Sequence, residues 1–346
     1  MKVGLVGYQG TGKSTVFQWL TGVAPDPAKV QQGQVGTTKV PDDRLAKIAD
    51  KFQPKKLTYA EVQFLDTPGL LADEREGNPR RLAVLRESNG VVVVLDGFGA
   101  TDFAAQLAKF REELLFADME VVGNRIPKVE AQFKKAKPAK EREADEFELA
   151  TLKKVVAALE AGTPASRQGI TEQEEKHLRS FQMLTLKPEA VFVNRGDAGF
   201  NDPLPADLLA LSPTATQAPV KLEKELAELD DESREAFMAD LGLTAFSRDR
   251  VVRDLFYAMG REVFFTVGTD ECRSWAVDRG SDAVAAAGAI HKDLSERFVR
   301  ANVIGYADFE SHHFSEKECK LKGLERTEGK TYVVKDADIL HILASN

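Results

Sequence analysis

The run Gly7-Tyr8-Gln9-Gly10-Thr11-Gly12-Lys13-Ser14-Thr15 sets glycines ahead of a lysine and a hydroxyl in the spacing G-x-x-x-x-G-K-[ST]. That order suits phosphate. Glycines let successive backbone N–H groups turn toward one anion, so Gly7, Gly10, Thr11 and Gly12 form the expected cradle. Lys13 is then the cation for the β- and γ-phosphates of a nucleoside triphosphate, Ser14 a hydroxyl ligand for Mg²⁺, and Thr15 a neighbouring phosphate contact. Some way on, "AEVQFLDTPGLL" ends in Asp66-Thr67-Pro68-Gly69, a D-x-x-G pattern in which Asp66 orders Mg²⁺ and the Gly69 N–H senses the γ-phosphate. Lys13, Asp66 and Gly69 are the candidate catalytic groups, with Ser14 and Asp66 as the metal ligands. A third run, Asn194-Arg195-Gly196-Asp197, fits N-[KR]-x-D. Its last carboxylate can accept from guanine N1 and N2, and the cation of Arg195 can stack along a base plane. The same residues also read as an Asn/Gly/Asp turn after a strand; their place after the other two motifs favours base recognition.

Such residues need strands to carry them and helices to cover the strands. Val3–Val6 is an apolar strand entering the glycine loop, and Ser14–Leu20 a helical run leaving it. "GVVVVLDGFG" and "PEAVFVN" are continuous apolar runs rich in β-branched residues, the signature of a parallel sheet covered on both faces. The expected fold is α/β, a mostly parallel sheet formed from residues 1–100 and 183–262. Residues 101–182 interrupt it with two long helical patterns, broken near Pro138, that predict an antiparallel helical arm. Thr171 and Glu174 have the spacing of a capping box and predict a helix start there. From about Val263 to residue 346, short strand patterns around one helix predict a compact α+β module.

The composition narrows the class. Of 346 residues, 43% are hydrophobic and 29% charged, ordinary values for a soluble globular chain long enough for two or three domains. A net charge of −8 argues against a broad basic surface gripping nucleic acid. Cys272 and Cys319 offer neither a disulfide framework nor metal-ligand spacing. With no leader pattern before the first strand and no apolar run of membrane-spanning length, the expectation is a cytoplasmic protein without membrane contact.

Beyond these motifs, "VPDDRLAKIADKFQPKK", "ELLFADMEVV", "LRSFQMLTLKPEAVFVN" and "FFTVGTDECRSWAVDRGSDAVAAAGAIHKDLSERFVRANVIGYADF" resemble the YchF/Ola-type P-loop NTPases of the Obg-related family, over the whole length of the chain. The resemblance implies a GTPase-type domain, an inserted coiled-coil arm and a C-terminal ubiquitin-like β-grasp (TGS) module. It also implies slow hydrolysis of GTP or ATP with Mg²⁺, and binding to ribosome or RNA, with a monomer as the expected state. By the same resemblance, "APVKLE" stands where a base-flanking Ser/Cys-Ala-Lys is usual, so Val220 and Lys221 are placed beside the base, Val220 through its backbone N–H.

Several departures from the family pattern are visible. The loop carries Gln9, Gly10 and Thr11 where Pro-Asn-Val is usual, and the threonine of the first switch falls near Val30, without a hydroxyl. The family's histidine stretch has no counterpart around Gly97–Asp102, and Leu70 follows D-x-x-G where many GTPases have a water-orienting glutamine. Asp197 restores a guanine-type ending where the family typically has glutamate and accepts adenine, so GTP is favoured over ATP. A slow nucleotide switch and a module that holds nucleotide without turnover both remain open; a metabolite kinase would leave Asp66–Gly69 and Asn194–Asp197 without a role.

Overall fold

The run Lys2–Val6, apolar and buried from Val3 onward, forms β1, and the first sheet organises around it. The computed structural model describes residues 1–29, 32–72, 77–99, 102–134 and 136–345. The expected first-switch position at Val30 and the segment 73–76 lie outside the described residues. After β1 the strands are β2 (Gln34–Lys39), β3 (Lys56–Thr58), β4 (Glu61–Asp66), β5 (Gly90–Gly97), β6 (Glu189–Arg195), β7 (Thr216–Ala218), β8 (Arg261–Thr266), β9 (Glu271–Asp278), β10 (Phe298–Ile304), β11 (Arg326–Glu328) and β12 (Ile339–Ala344). The helices used below are α1 (Lys13–Thr21), α2 (Asp43–Phe52), α3 (Asn78–Leu82), α4 (Phe103–Gly123), α5 (Ile126–Gln132), α6 (Ala139–Glu160), α7 (Glu172–Leu178), α8 (Ala206–Leu211), α9 (Val220–Ala227), α10 (Asp231–Asp240), α11 (Arg248–Ala258) and α12 (Ala283–Ile290).

Two compact units result, Met1–Gly36 with Gln63–Phe246 and Thr37–Val62 with Ser247–Asn346. They cut the chain differently from its sequence segments: the helical segment lies inside the first unit, and residues 37–62 join the second.

The first sheet runs β2-β4-β1-β5-β6-β7. Parallel registers set Leu5 beside Asp66, Val6 beside Val93, Asp96 beside Asn194 and Asn194 beside Ala218. The motif-bearing strand ends therefore share one edge. On one face, Val91, Val93, Val191 and Val193 pack with Phe103, Leu107 and Phe110 of α4. On the other, α1 contributes wholly buried Val16, Phe17 and Leu20, and the Trp19 ring lies 6.1 Å from Phe192. Fully burying each such side chain is worth about 1.5–3 kcal/mol, which is what pins α1 and the loop before it to the sheet.

The expected arm is helical, built from α4, α5, α6 and α7 around its own apolar cluster of Val122, Val129, Leu152, Val155, Leu159 and Leu178. The capping box forms as its spacing requires: Thr171 Oγ1 accepts from the Glu174 N–H and the Glu174 carboxylate accepts from the Thr171 N–H.

In the second unit the sheet order is β11-β10-β12-β8-β9-β3, with β8 and β9 a hairpin and β12 parallel to β8. Helix α12 packs Ala283, Ala286 and Ala287 against Phe264, Ala301 and Val303. Its small residues allow a close seat on the sheet. The strand β3, three residues long and too short to register in the sequence pattern, pairs in parallel with β9 through Lys56 to Thr58.

Candidate functional site

The segments that follow β1 and β4, the start of α1 and Arg81 of α3 enclose a cleft of about 530 Å³, lined by Gln9, Gly10, Gly12–Thr15, Thr67–Gly69, Leu71 and Arg81. The turn from β1 into α1 depends on Gly12, whose φ of +80° is left-handed. A Cβ there would also stand 2.3 Å from Asn194 Nδ2. The loop is braced from its outer side, since Gln9 N–H donates to the Leu70 carbonyl at 2.8 Å and Leu70 N–H to the Gly7 carbonyl at 3.0 Å. Gly10 has no heavy atom within 4 Å of the position its Cβ would take, leaving its backbone open.

Lys13 is 6% exposed and its ammonium donates to the Tyr8 carbonyl at 2.7 Å, folding back over the loop. Burial lowers its pKa to about 8, against the upward pull of Asp66. Asp66 is wholly buried at the end of β4. Neither of its carboxylate oxygens has a well-formed hydrogen bond among the described residues. Burial pushes its pKa up, outweighing the opposing influence of the Ser14 hydroxyl, the Lys13 ammonium and the Thr67 N–H. A buried carboxylate with two open oxygens, next to a hydroxyl, matches the oxygen donor set of a hard cation that keeps several waters and takes phosphate ligands. Ser14 and Asp66 thus fit Mg²⁺. Gly69 faces the loop so closely that a Cβ on it would meet Gln9 Cα at 3.0 Å and Lys13 Nζ at 3.1 Å. Thr67 Oγ1 donates to the Leu5 carbonyl at 2.6 Å and holds the turn after β4.

The residues expected at the base are divided in their duties. Asn194 Nδ2 donates to the Thr11 carbonyl at 3.1 Å, so this side chain clamps the phosphate loop. Arg195, expected along a base plane, is 9% exposed and otherwise engaged. Its guanidinium lies 5.0 Å from the Phe103 ring centroid and donates to Gln217 Oε1 at 2.7 Å. Asp197 is exposed beyond the strand end. Val220 has a buried side chain at the first position of α9, and Lys221 is exposed, 3.8 Å from Glu225.

Leu70 points its side chain into the core cluster of the α4 face and thus away from the cleft. Thr38 in β2, a hydroxyl that follows the expected first-switch position in the chain, accepts from Arg248 Nη2 at 2.9 Å and is 7% exposed.

Two residues near the phosphate loop were given no role by the motifs. Phe98, 55% exposed just past β5, sits near Gly12 and Gly196, where a Cβ would meet its ring or its own Cβ at 3.8 and 2.9 Å. Arg81 reaches the cleft from α3. Phe98 stands at the end of the run "GVVVVLDGFG", read only as a strand, and Arg81 at the end of the second-switch stretch "LLADEREGNPRR", whose proline suits the start of the helix that carries it.

Comparison with known proteins gives a consistent result. The family model described as "50S ribosome-binding GTPase" matches residues 2–125, and that of YchF-GTPase_C, "Protein of unknown function (DUF933)", matches residues 262–345. "Ribosome-binding ATPase YchF" of Haemophilus influenzae is 32% identical over 361 residues, covering 98% of each chain. The protein of that name from Bacillus subtilis is 30% identical, with 99% of this chain and 98% of its own covered. The solved structure titled "Structure of the Schizosaccharomyces pombe YchF GTPase" superposes with a TM-score of 0.79 at 25% identity, covering 99% of this chain and 97% of that one.

Proposed function

We propose, for a chain that belongs to the YchF family, a Mg²⁺-dependent nucleoside triphosphatase of low intrinsic turnover whose bound nucleotide governs docking to the ribosome. The observation that carries this reading is the convergence of Lys13, Ser14 and Gly69 on one cleft at the carboxyl ends of β1 and β4, with the open carboxylate of Asp66 buried beside Ser14. In this reading the backbone N–H groups of Gly10 to Thr15 surround the β-phosphate at the N-terminus of α1. Lys13 exchanges the Tyr8 carbonyl for β- and γ-phosphate oxygens. Ser14 and Asp66 hold Mg²⁺, which when bound neutralises charge on the β- and γ-phosphates. The Gly69 N–H reports the γ-phosphate. Asp197 reads the base edge, Phe98 offers an aromatic face, and the start of α9 at Val220 and Lys221 flanks the base. Asp197 favours guanine.

The naming of bacterial relatives as ATPases supports adenine as the second reading. A second reading of activity, nucleotide held without turnover, draws on the burial of Leu70 and the engagement of Thr38 with Arg248. In both, residues 1–100 and 183–262 carry the nucleotide chemistry, while the arm and residues 263–346 face the partner of a cytoplasmic monomer. The deciding experiment measures competition between GTP and ATP on the purified chain, then phosphate release at saturating Mg-nucleotide with and without ribosomes. No nucleotide binding refutes the proposal, and binding with no release under either condition selects the second reading of activity.

A further inference from the structure

We propose that a second cavity, between α4, the end of α8 and the amino ends of β5 and β6, binds a small molecule with an apolar body and a single anionic head group. It encloses about 680 Å³, more than the nucleotide cleft and within the range of about 300–1,000 Å³ usual for small-molecule sites. Val91 and Glu189, which line it, pair in register at the starts of their strands. The nucleotide cleft lies toward the opposite end of the same parallel sheet, and the two sites share no lining residue. The nucleotide motifs therefore leave this cavity without a role.

Much of its wall is apolar. Val91, Leu114 and Leu184 come from the core cluster of the α4 face of the sheet, while Leu115 and Leu186 pack against the cluster of the arm. The cavity thus opens at the seam between the two, where a ligand would touch both.

Four charged side chains line it, Arg111, Arg167, Lys187 and Glu189. Arg111 and Glu189 compensate each other: Glu189 Oε1 accepts from Nε at 3.1 Å and from Nη2 at 2.6 Å, and Nη2 also donates to the Leu211 carbonyl at 3.1 Å. Lys187 is matched to carbonyls instead, those of Arg86 at 2.8 Å and Ser88 at 2.5 Å. The carboxylate that attracts it, Asp118, is wholly buried and already accepts from Arg86 Nη1 at 2.9 Å and from the Thr185 hydroxyl at 2.8 Å. Burial lowers the pKa of Lys187 most, and Arg86 lowers it further against the pull of Asp118, the condition of a cation short of negative charge. Arg167, exposed, makes no hydrogen bond or ion pair among the described residues. Two cations without a carboxylate in contact, set in a largely apolar wall, suit an anion joined to hydrocarbon. The planar guanidinium of Arg167 offers the head group a fork, and Lys187 adds its charge from the wall.

The test titrates the full chain calorimetrically with octanoate, octan-1-ol and octylamine, which share one apolar body. Octanoate should bind saturably and one-to-one, at about millimolar affinity or tighter. The alcohol should bind about three- to tenfold more weakly and the amine more weakly still. Hexanoate should lose about fourfold for each methylene removed. Three variants locate the site. Arg167→Glu should weaken octanoate by about tenfold and leave octan-1-ol within about twofold. Ala108→Trp, at an exposed lining position, should fill the cavity and weaken acid and alcohol alike. Arg142→Glu, the same charge reversal at an exposed position on α6, should bind as wild type does. Thermal melts report folding, and should Ala108→Trp not fold, Ser166→Trp at another exposed lining position replaces it. The proposal fails if octanoate does not saturate, if octan-1-ol binds as tightly, or if Arg167→Glu or a folded tryptophan variant binds octanoate as wild type does. It fails equally if Arg142→Glu weakens octanoate as much as Arg167→Glu, since the acid would then be answering to net charge.

Discussion

Replacing Asp66 by asparagine is expected to stabilise the nucleotide-free protein and to abolish its further stabilisation by Mg-nucleotide. The wild-type carboxylate is wholly buried and neither oxygen has a well-formed partner among the described residues. A buried polar group left unsatisfied costs about 1–3 kcal/mol, more when charged. Against that stands its attraction to Lys13. This attraction is partly recoverable, because Lys13 already titrates at about 8 and sheds its proton more readily once the carboxylate no longer holds it. A net gain of about 1–2 kcal/mol follows, and at about 2–4 °C per kcal/mol for a unit of this size the melt should rise by a few degrees. The pH dependence has a definite sign. Burial raises the folded pKa of Asp66 above its unfolded value near 3.9, so its favourable contribution is complete only below that pH and is lost as pH rises through the folded pKa. The advantage of Asp66→Asn should thus be largest near pH 7.5 and disappear toward pH 4. The assay is a thermal melt at both pH values, with and without Mg-nucleotide. At a hundredfold excess over Kd the wild type gains about 2.7 kcal/mol from ligand, and the variant should gain little. A nucleotide-free variant that melts below wild type at pH 7.5 would show that the carboxylate is a structural partner, and the reasoning from its open oxygens would be wrong.

Lys13→Ala should weaken triphosphate binding by about 1.5–3 kcal/mol, roughly 10–100-fold, and diphosphate binding much less; titration with both nucleotides checks this, and equal losses contradict the assignment. Asp197→Glu should cost guanine nucleotides a similar factor and shift preference toward adenine, measured by competition; a wild type that already prefers ATP refutes the role given to Asp197. Glu174 lies between the Lys154 ammonium, which lowers its pKa most, and the Thr171 N–H, and together they bring it to about 2. Its contribution is therefore present above the unfolded carboxylate pKa near 4.3 and is lost as pH falls toward 2. Glu174→Gln should flatten the melting temperature across that window, and an unchanged acid limb would remove the capping box from the account.

The phosphate loop was legible because its requirements are local. Glycine is the residue best suited to the left-handed turn at Gly12, and the strand and helix on either side follow from apolar runs that need no distant partner to be recognised. The same holds for the capping box, whose two hydrogen bonds join residues three apart. Site residues defined by distant neighbours were less legible. The Asn194 amide meets the Thr11 carbonyl across 183 positions, and nothing in N-[KR]-x-D distinguishes a side chain that clamps the loop from one that reads a base. Arg195 is cationic and follows a strand, as base stacking would require, yet the packing of α4 brings Phe103 under its guanidinium.

Taken alone, the amino-acid order determined which backbone could cradle phosphate, which runs were strands buried on both faces, and that a helical arm interrupts the sheet. These follow from steric limits at glycine and from the periods of strand and helix, properties of neighbours in the chain. Tertiary structure alone decided that the Asp66 oxygens are left open beside Ser14, that Leu70 turns into the core, that β3 crosses to pair with β9, and that Arg81 enters the cleft. Each of these depends on which distant side chains close packing brings together, and on how burial changes the cost of a charge, quantities that no local pattern encodes.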